Sequence, residues 1–488
     1  MIERFNMQLM SEYENFLQRA KSSELLYYRD GLAGTVTARH YPPPSNVYTL
    51  AVNGKPEASN TMGDMPTQLL CGHLGPLLRP GPKQAMVIGL GGGVTLASVL
   101  KHRSVERVDM VEINNAVVEA VKLHFGEIND HALDDPRVNL ILADGRNHVT
   151  LTDRTYDLMV SVPSNPWMAG IANLFTTEFF TLCRDRLSEN GVMCQWLHTY
   201  NLSFADYMMV IRTFMEVMPH ALLWESSEGD YMMIGSKQPL EIDYDRLKRD
   251  LETGDAAQHL SQAALNDIRH FIPGFIARKE DLASMPEYQN AEENIDNSCR
   301  LEFSAPRVYY EYARQVRNGD IAGIRQNPAE LFAAGAPPEF LESIGRIKSA
   351  RLLTADAARL MREDKPAEAA VQLAKSIELY EYDPQTRNFA MEIYKNMAVQ
   401  AYPRDRARAL QWLTKAIESY EKVRFAQDVQ SLQRLYFDAM LISRDLGQME
   451  FSEHCRKQLL DWGGEELLEL HARQAEKIGK FAAQARKK

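Results

Sequence analysis

Four short stretches of the 488-residue sequence hold residue types able to bind a nucleoside and to present a reactant to it. The first, VIGLGGGVT (87–95), sets Gly89, Gly91, Gly92 and Gly93 between an apolar run and a helix-like segment. Glycines there let the backbone turn tightly and approach a ligand that side chains would hold off. In the second, MVEIN, Glu112 ends the next apolar run about 20 residues on, where a carboxylate can take a ribose hydroxyl. In the third, LADG, Asp144 and Gly145 end another apolar run, and the acid can accept from an adenine amine. Helix caps and strand ends are the plainer alternative. A dinucleotide fingerprint would place glycine at Val94 and add a second nucleotide-binding half, so a single-nucleoside cofactor is favoured.

The fourth stretch, VSVPSNPW (160–167), runs from apolar residues into a polar turn, with Ser164 and Asn165 between Pro163 and Pro166 and Trp167 after them. It holds no acid, base or strong nucleophile. Prolines restrict the backbone, Asn165 offers an amide oxygen and Trp167 a flat wall, so the loop is expected to orient a reactant rather than to titrate. Trp167 as core filler is the competing reading. Gln195, His198 and Tyr200 end the fifth apolar run and are expected in the same pocket as substrate residues, with His198 its one titratable side chain.

Positioning these residues takes a parallel sheet. Apolar runs at 84–90, 107–113, 138–144, 156–162 and 191–197 alternate with helix-length segments, the pattern of strands covered on both faces, and HALLWESS and DYMMIGS flank Gly229 as a closing hairpin. Residues 1–23 read as a helix with Ile2, Phe5, Leu9 and Phe16 on one stripe, and 24–80 as a small antiparallel β domain with a hairpin at Asn53-Gly54. The nucleoside-binding domain is expected over 81–240 and a mixed helical and irregular extension over 241–345. In 346–488, AEAAVQLAKSIELY and ARALQWLTKAIESY share Ala369/Ala409, Leu373/Leu413, Ile377/Ile417 and Tyr380/Tyr420 in a register of 40 residues. That resembles tetratricopeptide-like helix pairs, with a simple bundle as the alternative.

A net charge of −11 argues against a broad nucleic-acid footprint. Five cysteines without C-x-x-C spacing suggest neither a disulfide framework nor a zinc site, and with no membrane-length apolar run they point to the cytoplasm.

A β-hairpin domain followed by VIGLGGGVTLASVL, VEIN, ADGR and YDLMVS resembles the spermidine synthase family of aminopropyltransferases over about 24–235. The branch it is most similar to carries PSNPWMAG and a later N-x-D…EF-x-APR segment, here 294–307, often in membrane-fused chains. The resemblance implies a Rossmann-like α/β transferase sheet behind a small β domain, with a helical extension as read above. It implies that Glu112 holds the ribose, that Asp144 and Gly145 hold the adenine, and that Gly89 to Gly93 wrap the amino-acid end. It also brings His73 and Gln68 to the cofactor. Where the family has its tyrosine, histidine and glutamate motif, this chain reads Thr67, Gln68 and Leu69; Gly92 and Val162 stand for its aspartates, and Asn165 for the acid of its aspartate-proline pair.

These departures imply a groove without the acids that select a polyamine, and a cofactor loop that no longer repels the carboxylate of ordinary S-adenosylmethionine. The expectation is a transferase, without a metal, that uses S-adenosylmethionine or its decarboxylated form and an amine acceptor, small molecule or protein, oriented by Ser164, Asn165 and Trp167. Alternatives are a true spermidine synthase and an inactive nucleoside-binding scaffold. Expected partners are a protein docked on the helical repeats or a second copy of the chain, and no nucleic acid.

Overall fold

In a computed structural model, residues 23–461 are described apart from 32–33, 43–45, 169, 228, 310–323, 333–334, 364, 382–383 and 422–428, together with 465 and 468–469. The helix expected over 2–22 lies outside the described residues. The chain forms two compact units that divide between Ile344 and Gly345.

The first unit opens with a four-stranded antiparallel sheet in the order β1 (Glu24–Gly31), β2 (Gly34–Tyr41), β3 (Val47–Val52) and β4 (Lys55–Ser59). Val52 pairs with Lys55 around Asn53 and Gly54, whose φ values of 52° and 78° suit the two-residue turn that matches strand twist. Helix α1 (Met65–Leu78) follows and is buried almost all round. Gly72 lets it press against helix α2 (Val94–Leu100), because a Cβ there would lie 2.5 Å from the Thr95 carbonyl oxygen.

The main sheet contains β5 (Gln84–Ile88), β6 (Arg107–Glu112), β7 (Val138–Leu142), β8 (Tyr156–Ser161), β9 (Leu187–His198), β10 (His220–Ser227), β11 (Asp230–Ser236) and β12 (Phe275–Arg278). Their spatial order is β12-β10-β11-β9-β8-β5-β6-β7. Strands β5 to β9 pair in parallel, whereas β11 runs antiparallel to β9 and forms the expected hairpin with β10. Alternation along the strands divides the core. Val87, Val108, Val160, Cys194 and Trp196 share one core with α1 and α2, and Met86, Ile88, Met159, Met193 and Leu197 share another with helices α5 (Thr177–Arg186) and α6 (Phe204–Val217). Helices α3 (Asn115–His124) and α4 (Gly145–Leu151) follow β6 and β7.

The second unit is helical. Pro366–Leu379, with Tyr380 just beyond it, and Arg406–Glu421 carry the repeated positions, and Ala369, Ala409, Leu373 and Leu413 are all buried. Among the described residues, no helix is long and apolar enough to cross a membrane.

Candidate active site

The carboxyl ends of β5, β6 and β7 lie side by side, and the nucleoside-type residues sit there. Gly89, Gly91 and Gly93 adopt φ values of 90°, 51° and 84°, the left-handed region that favours glycine. A Cβ on Gly89 would run into the Val162 carbonyl oxygen, so the glycine loop and the SNPW loop touch through their backbones. Glu112 is buried, with Oε2 accepting from the Leu90 N–H at 2.9 Å and Oε1 from the Asn114 N–H at 2.8 Å. Burial pushes its carboxyl up, and the N–H groups of Leu90, Asn114 and Ile113 work against that. A carboxylate oxygen has a second lone pair, so Glu112 can brace the loop and still accept a hydroxyl.

Asp144 does cap a helix: Oδ1 accepts from the Asn147 N–H at 2.8 Å. Capping and ligand binding are compatible at a strand end. Gly145 is required by packing, since a Cβ there would stand 2.5 Å from Ile88 Cγ2. Gln68 borders the glycine loop, because a Cβ on Gly92 would lie 3.4 Å from its Oε1, and its Nε2 donates to the Ser59 carbonyl at 2.8 Å.

His73 does not join them. Both its ring nitrogens face other histidines, Nδ1 toward His102 at 2.9 Å and Nε2 toward His259 at 3.0 Å. His102 lies just beyond the C-terminal end of α2, whereas the glycine loop lies at its N-terminal end. One turn along α1 from Gln68 is enough to carry His73 past the loop.

At the end of β8, Asn165 Nδ2 donates to His198 Nε2 at 2.7 Å, and Trp167 meets the His198 ring edge-on at 4.8 Å. Tyr200 stacks on His198 at 4.4 Å. Burial, with Lys55 nearby, pushes the His198 imidazole down to about 3, so it is neutral and serves as an acceptor. Asn165 is fully buried, and its Oδ1 has no hydrogen-bond partner among the described residues. Ser164 donates to Glu57 Oε1 at 2.6 Å, which ties the loop to β4. Gln195 parts from His198 and Tyr200. Strand alternation turns it to the opposite face of the sheet with Met193 and Leu197, where its Nε2 donates to the Trp196 carbonyl at 3.1 Å.

Two expectations need correction: His198 is not the one titratable side chain of this pocket, and the groove is not without acids. Glu57 on β4, Asp64 before α1 and Asp230 at the start of β11 all act electrostatically on the Tyr200 phenol, whose pKa burial raises and an Asn165 hydrogen bond lowers. Glu57 pairs with Lys55 at 3.0 Å. Asp230 accepts from Trp196 Nε1, Thr67 Oγ1 and Ser227 Oγ, each at 3.2 Å. Burial pushes its carboxyl up to about 6; these three donors lower it and Asp64 adds to the rise. Asp230 could have been found as an acid in phase with the inward Met232 and Ile234 of its strand. Glu57 and Asp64 carry no such local signal, because only the tertiary fold brings β4 over the main sheet.

Residues 294–307 brace the chain that leaves the loop. Asn294 Nδ2 donates to the carbonyls of Ala172 and Phe175, its Oδ1 accepts from the Leu301 N–H at 3.2 Å, and Glu302 accepts from the Gly170 N–H at 2.9 Å. Arg146 bonds Asp296, joining this segment to the helix behind Asp144.

The Spermine/spermidine synthase domain family matches residues 66–225. That stretch contains the glycine loop, Glu112, Asp144 and the SNPW loop in one run. Residues 66–225 carry a domain of the spermidine synthase family. Among curated relatives, the polyamine aminopropyltransferase of Methanocaldococcus jannaschii is 31% identical over 196 residues, covering 38% of this chain and 66% of that protein. Polyamine aminopropyltransferase 1 of Pseudomonas aeruginosa is 36% identical over 121 residues, 25% of this chain and 42% of that protein. The chain thus spans less than two thirds of the length of these relatives. Among solved structures, a spermidine synthase in complex with the transition-state analogue AdoDATO has a TM-score of 0.42 at 24% identity, covering 49% of this chain and 85% of that one. The Thermotoga maritima spermidine synthase has a TM-score of 0.38 at 24% identity, covering 46% and 75%.

Proposed function

We propose that this chain is a transferase that moves a carbon group from an adenosyl sulfonium nucleoside, S-adenosylmethionine or its decarboxylated form, to an amine. The carrying observation is Glu112, a buried carboxylate tied to the glycine loop at the end of β6, with Asp144 at the end of the adjacent β7. The residues fit such a nucleoside: a glycine cradle in which a Cβ on Gly89 would strike backbone, an acceptor for ribose hydroxyls and an acceptor for an adenine amine. When bound, the sulfonium supplies an electrophilic carbon and a neutral thioether leaving group.

The chain's own task is orientation. Asn165 is fixed through Nδ2 to a neutral His198, which leaves Oδ1 as the acceptor for an amine N–H, while Trp167 and Tyr200 wall the approach. Holding two reactants in line removes much of the entropic barrier without a base on the loop. Because Asn165 is fully buried, an acceptor reaches Oδ1 through a small displacement of Tyr200, which is 44% exposed.

A second reading, aminopropyl transfer to a polyamine, is favoured by Glu57, Asp64 and Asp230, acids that a polycation would seek. Mass spectrometry of putrescine incubated with each nucleoside tests both. A methylated product supports methyl transfer, an aminopropylated one the polyamine reading, and no modified amine with either nucleoside contradicts the proposal. Asn165→Ala is expected to lower turnover at least a hundredfold while nucleoside affinity stays within about twofold.

A further inference from the structure

An amine attacks only with its lone pair free, and neither Val162 nor the neutral His198 can take a proton from an ammonium. We propose that Asp230 is the group that holds the acceptor's ammonium and takes its proton, an inference that rests on the amine-acceptor reading above. In register, Asp230 on β11 stands directly opposite His198 on β9, and directly paired residues have Cβ atoms about 4.5–5.5 Å apart. Both point to the face that carries Trp196, so Asp230 lies one side chain from the imidazole that fixes Asn165.

The step is a proton transfer alone. The ammonium N–H bond breaks, the carboxylate gains an O–H bond, and a neutral amine faces a neutral acid. In a buried site that neutral pair gains on the ion pair, which narrows the gap between the two proton affinities. The groups around Asp230 are the Thr67 and Ser227 hydroxyls, the Trp196 indole, the Cys71 thiol, the Asp64 carboxylate, the Tyr200 phenol and the His198 imidazole, with Glu57 and Lys55 beyond Tyr200 and His198. No cation contacts it among the described residues, and its elevated proton affinity suits a group that must accept and release within the neutral range.

The test is a carboxyl-carbon NMR titration of the full chain with and without putrescine, beside Asp230→Asn and Asp230→Glu. The Asp230 signal is expected to titrate near pH 6 and to shift to lower pH when putrescine binds. Asp230→Asn is expected to bind putrescine at least tenfold more weakly at pH 7, with S-adenosylmethionine affinity and melting cooperativity retained, and Asp230→Glu to recover part of the loss. Where turnover is measured, the acidic limb of the kcat/KM profile should vanish in Asp230→Asn. An Asp230 titration indifferent to putrescine, or full putrescine affinity in Asp230→Asn, overturns the proposal. Failure of the sulfonium reading would show differently, as absent nucleoside binding with the putrescine-dependent shift intact.

Discussion

In the proposed reading, Glu112 holds the nucleoside and Gly92 sets which form of it is accepted. Glu112→Gln keeps an acceptor oxygen for the loop but loses charge, and a hydrogen bond to a charged group commonly contributes about 1.5–3 kcal/mol, so nucleoside affinity should fall roughly 10- to 100-fold by calorimetry. Gly92 adjoins Ala58 and Gln68 and presents no carboxylate, so ordinary S-adenosylmethionine is expected to bind at least as well as its decarboxylated form. A tenfold preference for the decarboxylated compound in a competition titration would contradict this. Asp230 supplies a stability test. Its folded pKa, about 6, stands above the ordinary 3.8, so the native state binds more protons than the unfolded one between those values. Stability therefore falls as pH rises from about 4 to 6 and stays lower above. Asp230→Asn should raise stability at pH 7 by on the order of 3 kcal/mol, since one pKa unit is about 1.4 kcal/mol, and the gain should disappear near pH 4 in thermal melts. The placement of Glu112, Asp144 and the loop asparagine at or just past strand ends was legible in the sequence because an apolar run leads into each. The acids around Tyr200 were not, because they come from β4, the approach to α1 and β11, which only long-range packing brings together.

The same contrast holds for the elements. The parallel strands, the closing hairpin and the Asn53-Gly54 turn could be read directly, since apolar runs and turn residues are local signals. Gln195 went to the wrong side because the register of β9 decides which alternate residues face α1, and a one-residue difference exchanges the faces. His73 was placed by similarity alone, and the histidine pair that holds it comes from segments 29 and 186 residues away. The 294–307 segment stood out in sequence without a role, which the structure supplies as a brace behind the SNPW loop. Asn294→Ala removes two carbonyl contacts and the acceptor for the Leu301 N–H in a fully buried position. The expected cost is about 2–4 kcal/mol in urea unfolding. In the proposed reading turnover should fall further than nucleoside affinity, because Asn294 sits behind the SNPW loop rather than the glycine cradle.

In the whole molecule, every residue assigned to the site lies before Ile344, and the helical repeats form a core of their own. A chain ending at Ile344 is therefore expected to fold and to retain nucleoside affinity within about twofold. The most direct test of the account is calorimetric titration of the full chain with S-adenosylmethionine, in parallel with Asp144→Ala. The account predicts saturable one-site binding to the natural chain and at least tenfold weaker binding to Asp144→Ala at unchanged melting cooperativity. Equal heats from the two proteins, or none from either, would contradict it.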